Sequence, residues 1–285
     1  MLYALDAATK QLLFPSRIVP EGRNARALGI WRDFSQAALD LIFPPHCCSC
    51  ISALPPDTNK ALCLSCAEDI QWIGQDRCSR CGDAVGLGSG VVSECHSCRT
   101  HPPVFVHSAC TLAKYSDGPL RNLILALKFS RKIHVARVLG EILARRIEST
   151  CLLSSAVTAS SSEATKPNIV IVPSPLTRKA ASVRGFNQAE ELAFWVSRRL
   201  GFPLETRLLK KIRSTPTQAK LSHEKRRVNL KGAFTCDPAL AERYKDARVL
   251  LIDDVITTGS TISECARTLS AAGIGEIRAA AVARG

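Results

Sequence analysis

Two carboxylates and four hydroxyls are clustered in residues 253–261 of the sequence. Asp253 and Asp254 follow an apolar, β-branched run. After them comes a turn of small polar residues, namely Thr257, Thr258, Gly259, Ser260 and Thr261. Gly259 permits a tight turn, and the amides and hydroxyls of such a turn, at the start of a helix, can surround a phosphate. Because the acid pair can also accept hydrogen bonds from vicinal sugar hydroxyls, this segment predicts a ribose phosphate site.

Other phosphate-binding motifs do not fit this segment. It lacks the GxxxxGK[ST] spacing of a Walker loop, no lysine follows Gly259, and it is not a dinucleotide fingerprint. A purely structural interpretation makes these residues a cap for the last helix, but a cap needs one such residue rather than six. The ribose phosphate interpretation is therefore preferred.

Eight cysteines form four CxxC pairs in the first third of the sequence. The pairs are Cys47 and Cys50, Cys63 and Cys66, Cys78 and Cys81, and Cys95 and Cys98. The 12 residues after Cys50 and the 13 after Cys81 suit two consecutive zinc ribbons, with sequential pairing preferred over interleaved pairing. Disulfides are the alternative, but equal CxxC spacings in an intracellular chain favour metal thiolates. Four thiolates leave no open position for water, so we expect two structural Zn2+ ions.

The composition is that of a globular protein, and the charge is strongly basic. The 285 residues are 46% hydrophobic and 22% charged, with a formal net charge of +13. Residues 178–232 hold 14 Lys and Arg against 4 Glu, which leaves +10 by subtraction. Such a field attracts phosphates, on a small substrate or along a nucleic acid backbone. No apolar run approaches a membrane span of roughly 18 residues, and no signal sequence is evident, so we expect a cytoplasmic protein.

The elements that must position these residues alternate between strand and helix. Apolar periodicity predicts helices over 119–128, 135–149, 188–200 and 261–272, and strands over 168–172, 248–253 and 276–283. This order predicts an α/β fold with a mainly parallel sheet and helices on both faces. Ligands of such sheets bind beyond the carboxyl ends of the strands, where the acid pair is expected.

Composition divides the chain into three parts. Residues 1–43 form an extension with one short helix within 31–43, residues 44–102 the double zinc ribbon, and residues 103–285 the α/β domain. The Ser-, Thr- and Ala-rich stretch 151–166 is predicted to be a flexible surface loop inside that domain.

Several segments together resemble a known family. The acid pair with its TTGST loop is similar to the phosphoribosyl pyrophosphate signature of type I phosphoribosyltransferases. The segments IVPSP from Ile171, RGFNQ from Arg184 and RVNLKGAF from Arg227, with Gln218 and the four CxxC pairs, resemble the ComF family over residues 40–285. Ser174 stands where many relatives have valine.

The resemblance implies a double zinc ribbon followed by a type I phosphoribosyltransferase fold, and a role in DNA uptake during competence or in DNA utilisation. It implies that Asp253 and Asp254 hold the ribose hydroxyls of Mg2+-bound phosphoribosyl pyrophosphate. It also implies that residues 257–261 hold the 5′-phosphate and that the turn with Pro173 and Ser174 holds the pyrophosphate.

Basic residues complete the predicted site. Arg184, with Arg178 and Lys179, follows the strand ending at Val172 and is expected to neutralise the pyrophosphate, although a solvated loop is the alternative. Lys128 can reach a phosphate or can simply stabilise a helix C-terminus. Residues 213–232 lack periodicity and are expected to form either a flap over the substrate or a grip for single-stranded nucleic acid.

Three functions fit these features. The first is a phosphoribosyltransferase, a glycosyltransferase whose acceptor is open. The second is a non-catalytic nucleotide sensor or accessory protein of competence that binds single-stranded DNA or DNA-uptake proteins. The third is a structural zinc protein with a vestigial phosphate loop, since a fold does not by itself prove turnover.

Overall fold

A computed structural model describes most of the chain from residue 45 onward. The described residues are 45–54, 61–86, 88–100, 105–129, 132–150, 152–153, 168–177, 182, 185–213 and 229–285. The helix predicted within 31–43 and nearly all of the loop predicted at 151–166 lie outside these ranges. The domain boundaries at 43–44 and 102–103 also fall outside them and stay predictions.

The cysteine-rich region consists of short elements. They are helix α1 (Leu64–Glu68), strands β1 (Arg77–Cys78) and β2 (Val91–Val92), and helix α2 (His96–Thr100). Strands β1 and β2 pair in parallel over two residues each. Elements this short bury few apolar side chains, so they depend on other interactions for their stability.

The rest of the described chain is an alternation of strands and helices. The elements are β3 (Ser108–Lys114), α3 (Pro119–Phe129), α4 (Ile133–Glu148), β4 (Ile169–Pro173), α5 (Gln188–Leu200), β5 (Leu209–Lys211), β6 (Phe234–Cys236), α6 (Pro238–Arg243), β7 (Arg248–Ile256), α7 (Ser260–Ala271) and β8 (Glu276–Arg284). The four predicted helices are confirmed to within two residues at each end. Strand β7 extends three residues beyond the predicted end at Asp253, so Asp254 also lies inside the strand.

The main sheet has four strands in the order β3, β8, β7, β4, and every neighbouring pair is parallel. This confirms the predicted parallel α/β sheet, whose strands all end at one edge. Strands β5 and β6 form a separate antiparallel pair that the sequence did not predict. The carboxyl ends of β7 and β4 are adjacent, which brings together the two segments expected to bind the ligand.

Both faces of the sheet are covered by apolar packing. In β4, Ile169 and Ile171 belong to one core and Val170 and Val172 to the other, because successive strand residues point to opposite faces. Helices α4 and α5 cover the first face and pack closely together. A Cβ added at Gly140 of α4 would lie 2.6 Å from Cβ of Trp195 in α5.

The segment that carries the third and fourth CxxC pairs covers the free edge of β3. The amide of Ala109 donates to the carbonyl of Ser79 at 3.0 Å, and Thr111 Oγ1 donates to the carbonyl of Gly82 at 2.6 Å. Gly82 has φ of 75°, and a Cβ there would lie 2.9 Å from Cα of Cys110. The turn therefore lies directly on the strand backbone, and the edge strand is not left open to pair with another chain.

In the part of the chain that the structure describes, no helix combines the length and the apolar character needed to cross a membrane.

Candidate functional site

The acid pair lies near the carboxyl end of β7. Asp253 Oδ1 accepts hydrogen bonds from Ser174 Oγ at 2.7 Å and from the backbone amide of Asp254 at 2.9 Å. Asp254 Oδ2 is 2.8 Å from Nζ of Lys128, the penultimate residue of α3, and both of these side chains are mostly buried. The turn after β4 and the end of α3 thus both contact the acid pair of β7.

The surroundings of Asp253 oppose its charge. Burial raises the pKa of the Asp253 carboxyl most strongly, and the neighbouring Asp254 carboxylate raises it further. The hydrogen bonds from Ser174 and from the Asp254 amide, together with the charge of Lys128, lower it in part. The resulting pKa of the Asp253 carboxyl is about 7.

The turn after β4 is held against β7. The amide of Ser174 donates to the carbonyl of Ile252 at 2.8 Å, and its hydroxyl donates to Asp253. The side-chain amide of Asn187 donates to the carbonyl of Ser174 at 3.0 Å, while its Oδ1 caps α5 by accepting from the amide of Ala189. Asn187 was not assigned a role from sequence, although its place before a helical pattern marks it as an N-cap.

The hydroxyl-rich turn connects β7 to α7. Gly259 has φ of 73° and occupies the N-cap position of α7, with no side chain capping the helix. Thr258 Oγ1 and Ser260 Oγ lie 2.8 Å apart, and the Ser260 amide donates to Thr258 Oγ1 at 3.3 Å. A helix start whose N-cap residue is a glycine, surrounded by hydroxyls, suits an anion.

The eight paired cysteines form two clusters. One cluster is Cys47, Cys50, Cys63 and Cys66, and the other is Cys78, Cys81, Cys95 and Cys98, with all Sγ atoms of a cluster within 4.8 Å of one another. The grouping is sequential, as the spacing predicted. Sγ separations of 3.6, 3.8 and 3.7 Å match the edge of about 3.8 Å for tetrahedral zinc with Zn–S near 2.3 Å. Both clusters therefore fit a structural Zn2+ ion.

Part of the predicted site falls in segments outside the described residues. Arg184, Arg178 and Lys179 lie outside the described residues, as does most of the segment 213–232. Pro173 ends β4, and Thr257 and Thr261 flank the turn, so the remaining predicted residues gather at one edge of the sheet. Sequence reasoning missed Arg284, which lies at the same edge and donates to the carbonyl of Ile256 at 2.9 Å.

Comparisons with known proteins define the class to which this fold and site belong. Residues 135–285 match the phosphoribosyl transferase domain family, and residues 38–100 match the double zinc ribbon domain family. The parallel sheet with flanking helices is thus a phosphoribosyltransferase fold, and the two cysteine clusters are zinc-ribbon sites.

Relatives over most of the chain narrow this class. The chain is 31% identical to competence protein F of Haemophilus influenzae, covering 79% of this chain and 91% of that protein. It is 30% identical to the DNA utilization protein YhgH of Escherichia coli O157:H7 and of Salmonella typhi, covering 74% of this chain and 92% of each relative. The chain belongs to the ComF family.

Proposed function

We propose that the chain binds Mg2+-bound phosphoribosyl pyrophosphate at the carboxyl edge of the sheet and transfers its phosphoribosyl group. The observation that carries this proposal is the acid pair of β7, which is followed by a hydroxyl-rich helix start with glycine at its N-cap. Carboxylates suit the ribose hydroxyls, and the helix start suits the 5′-phosphate. The match of residues 135–285 to the phosphoribosyl transferase family supports the same ligand.

The two carboxylates have different surroundings and take different parts in binding. Asp254 is paired with Lys128, and binding exchanges part of this ion pair for hydrogen bonds to a ribose hydroxyl. Asp253 is fixed by Ser174 and by the Asp254 amide, so it holds the geometry of the pair. Ser174 uses both its amide and its hydroxyl toward β7, so its role is to shape the turn beside the pyrophosphate.

The reaction requires positioning and charge stabilisation. An acceptor attacks the anomeric carbon, the bond to pyrophosphate breaks, and its electron pair leaves with the pyrophosphate. The carboxylate pair stabilises the oxocarbenium character of the ribose, while Lys128 and the basic segment 178–232 neutralise the leaving group. Hard carboxylate oxygens beside the pyrophosphate fit Mg2+, which supplies charge neutralisation when bound.

Calorimetric titration of the zinc-loaded protein with phosphoribosyl pyrophosphate and Mg2+ tests the proposal. We expect micromolar binding that Asp254→Asn weakens at least about tenfold, the cost of one charge-assisted hydrogen bond. Asp246→Asn is the matched control, because Asp246 is exposed and precedes the opposite end of the same strand. Absence of binding to the unmodified protein would exclude the proposed function. Release of pyrophosphate with a defined acceptor would then establish transfer.

A second candidate function is binding of single-stranded DNA. The names of the relatives refer to competence and DNA utilization, and residues 178–232 carry 14 Lys and Arg against 4 Glu, a net charge of +10. This function predicts binding that falls steeply with salt and is lost in Arg226→Ala/Arg227→Ala but kept in Asp254→Asn. Fluorescence anisotropy of a labelled oligonucleotide distinguishes the two functions. It is measured for each variant at about 50 mM and about 200 mM salt.

A further inference from the structure

One guanidinium at the end of β8 contacts the start of the hydroxyl-rich turn. Arg284 has a side chain that is 10% exposed, and its Nη1 donates to the carbonyls of Ile256, Thr257 and Gly285. Ile256 ends β7, and Thr257 begins the turn that is proposed to hold the 5′-phosphate. Arg284 therefore contacts this turn from the side of the backbone that carries the carbonyl oxygens.

These contacts fix the direction of backbone amides. The peptide unit is planar and trans, so its N–H points away from its C=O. With the carbonyls of Ile256 and Thr257 directed at Arg284, the amides of Thr257 and Thr258 are directed to the opposite side. An array of backbone amides aimed at one side is the arrangement that binds phosphate.

The counter-charge of Arg284 comes from the second zinc ribbon. Oδ2 of Asp83 is 4.0 Å from Nε of Arg284, and among the described residues Asp83 is the acidic partner of this guanidinium. Asp83 is itself fixed beside the zinc site, because its carbonyl accepts from the amide of Cys78 at 2.8 Å and its Oδ1 accepts from the amide of Ala84 at 2.9 Å. A mostly buried guanidinium without a counter-charge is costly, so the Asp83 carboxylate stabilises Arg284 in this position.

The same two parts of the molecule share a cleft. It is lined by Thr258 and Gly259 of the turn, by Arg284, and by Cys81 and Cys98 of the second zinc site. The turn and the zinc site thus face each other across a short distance. The hydrogen bonds of Gly82 and Ser79 to β3 hold the ribbon in this place.

We propose that Arg284 is a positioning residue for the 5′-phosphate and that the second zinc ribbon, through Asp83, sets its position. This inference rests on the proposed function, since it concerns the phosphate end of the same ligand. In this proposal the second zinc ribbon helps to hold the phosphate-binding turn in place. Arg284 acts through the backbone of residues 257 and 258 and does not itself contact the ligand.

The test separates the two ends of the ligand by using ribose 5-phosphate and Mg2+-pyrophosphate as individual probes. Calorimetry on full-length, zinc-loaded protein should show that Arg284→Met weakens the binding of ribose 5-phosphate at least about tenfold. The affinity for Mg2+-pyrophosphate should stay within about twofold of that of the unmodified protein. Arg284→Lys keeps the charge without the planar fork and should give an intermediate loss of about threefold. This milder variant keeps the test valid if Arg284→Met does not fold.

Arg278→Met is the matched control. Arg278 is a buried arginine near the other end of β8 and pairs with Glu276, so its loss should lower stability without changing the affinity for either probe. The Tm and the zinc content are measured for every variant. Two zinc ions per chain in each variant exclude loss of metal as the cause of a change in affinity.

A double-mutant cycle tests the link to the zinc ribbon. Asp83→Asn alone should weaken the binding of ribose 5-phosphate about threefold. Added to Arg284→Met, it should not change the affinity further. Equal affinity of Arg284→Met and unmodified protein for ribose 5-phosphate, or a parallel loss of both probes, would overturn the inference and leave the proposed function standing. Failure of the unmodified protein to bind phosphoribosyl pyrophosphate would overturn both.

Discussion

Asp253 is a partly buried carboxylic acid with a pKa near neutrality, which makes the stability of the protein depend on pH. Its pKa is about 7 in the folded protein and close to 3.8 when unfolded. The folded state therefore keeps a proton that the unfolded state has already released between these values. Stability falls as pH rises through this window and levels off above pH 7, as proton linkage requires.

Asp253→Asn should remove this dependence. Below about pH 4 the two proteins should be similarly stable, and above pH 7 the variant should be more stable, by an amount on the order of 4 kcal/mol. Urea unfolding of both proteins between pH 5 and 8 measures the difference in their free energies of unfolding. The contribution of the zinc sites largely cancels in this difference, because both proteins contain them. A constant difference across this range would show that Asp253 does not titrate there.

The ion pair of Lys128 and Asp254 should show energetic coupling. Both side chains are mostly buried, at 20% and 14% exposure, so the pair is less screened by water than a surface pair. Lys128→Met and Asp254→Asn should each destabilise the protein, and the double variant should cost less than their sum by about 1–2 kcal/mol. A urea-unfolding double-mutant cycle measures this coupling, and additive losses would contradict it.

At the scale of elements, the contact between α4 and α5 depends on a glycine. An alanine in a helix is normally more stabilising than glycine by roughly 0.5–1 kcal/mol. At position 140 the added Cβ would lie 2.6 Å from Cβ of Trp195 and 3.1 Å from the carbonyl of Leu192. We therefore expect Gly140→Ala to destabilise the protein by about 1–3 kcal/mol, because the helices must move apart.

Thermal unfolding of Gly140→Ala and Gly275→Ala tests whether the alanine at position 140 lowers the stability. A Cβ at Gly275 meets no atom within 4 Å, and its φ is not positive, so this control should be close to neutral. A higher Tm for Gly140→Ala would show that helix propensity, rather than the closeness of α4 and α5, decides the outcome.

At the scale of the whole molecule, zinc should hold both cysteine clusters and stabilise the entire chain. Mass spectrometry should find two zinc ions in the unmodified protein and one in Cys78→Ser/Cys98→Ser, because each ion needs four thiolates. Chelation should lower the Tm, since structural zinc contributes directly to folding free energy. A doubly substituted variant that retains two ions would contradict the assignment. Cys110→Ser serves as a control that should keep both, because Cys110 belongs to neither cluster.

The sequence by itself determined the features that are encoded locally. The equal CxxC spacing fixed the two zinc clusters, because two knuckles separated by 12 or 13 residues can close around one ion. Apolar periodicity located the main helices and three of the four strands of the parallel sheet, because burial of one face imposes a period on the chain. The acid pair and its turn were recognisable because all their residues are consecutive.

The tertiary structure decided everything that depends on distant residues. Strand β3 was not predicted, because its small residues carry little intrinsic strand preference and pairing with β8 imposes the strand. The bond from Ser174 to Asp253 joins residues 79 positions apart, and the contacts of Arg284 with Asp83 and with the turn bring three separate segments together. No local pattern encodes such contacts, because parallel strands end at one edge of the sheet only after the chain has folded.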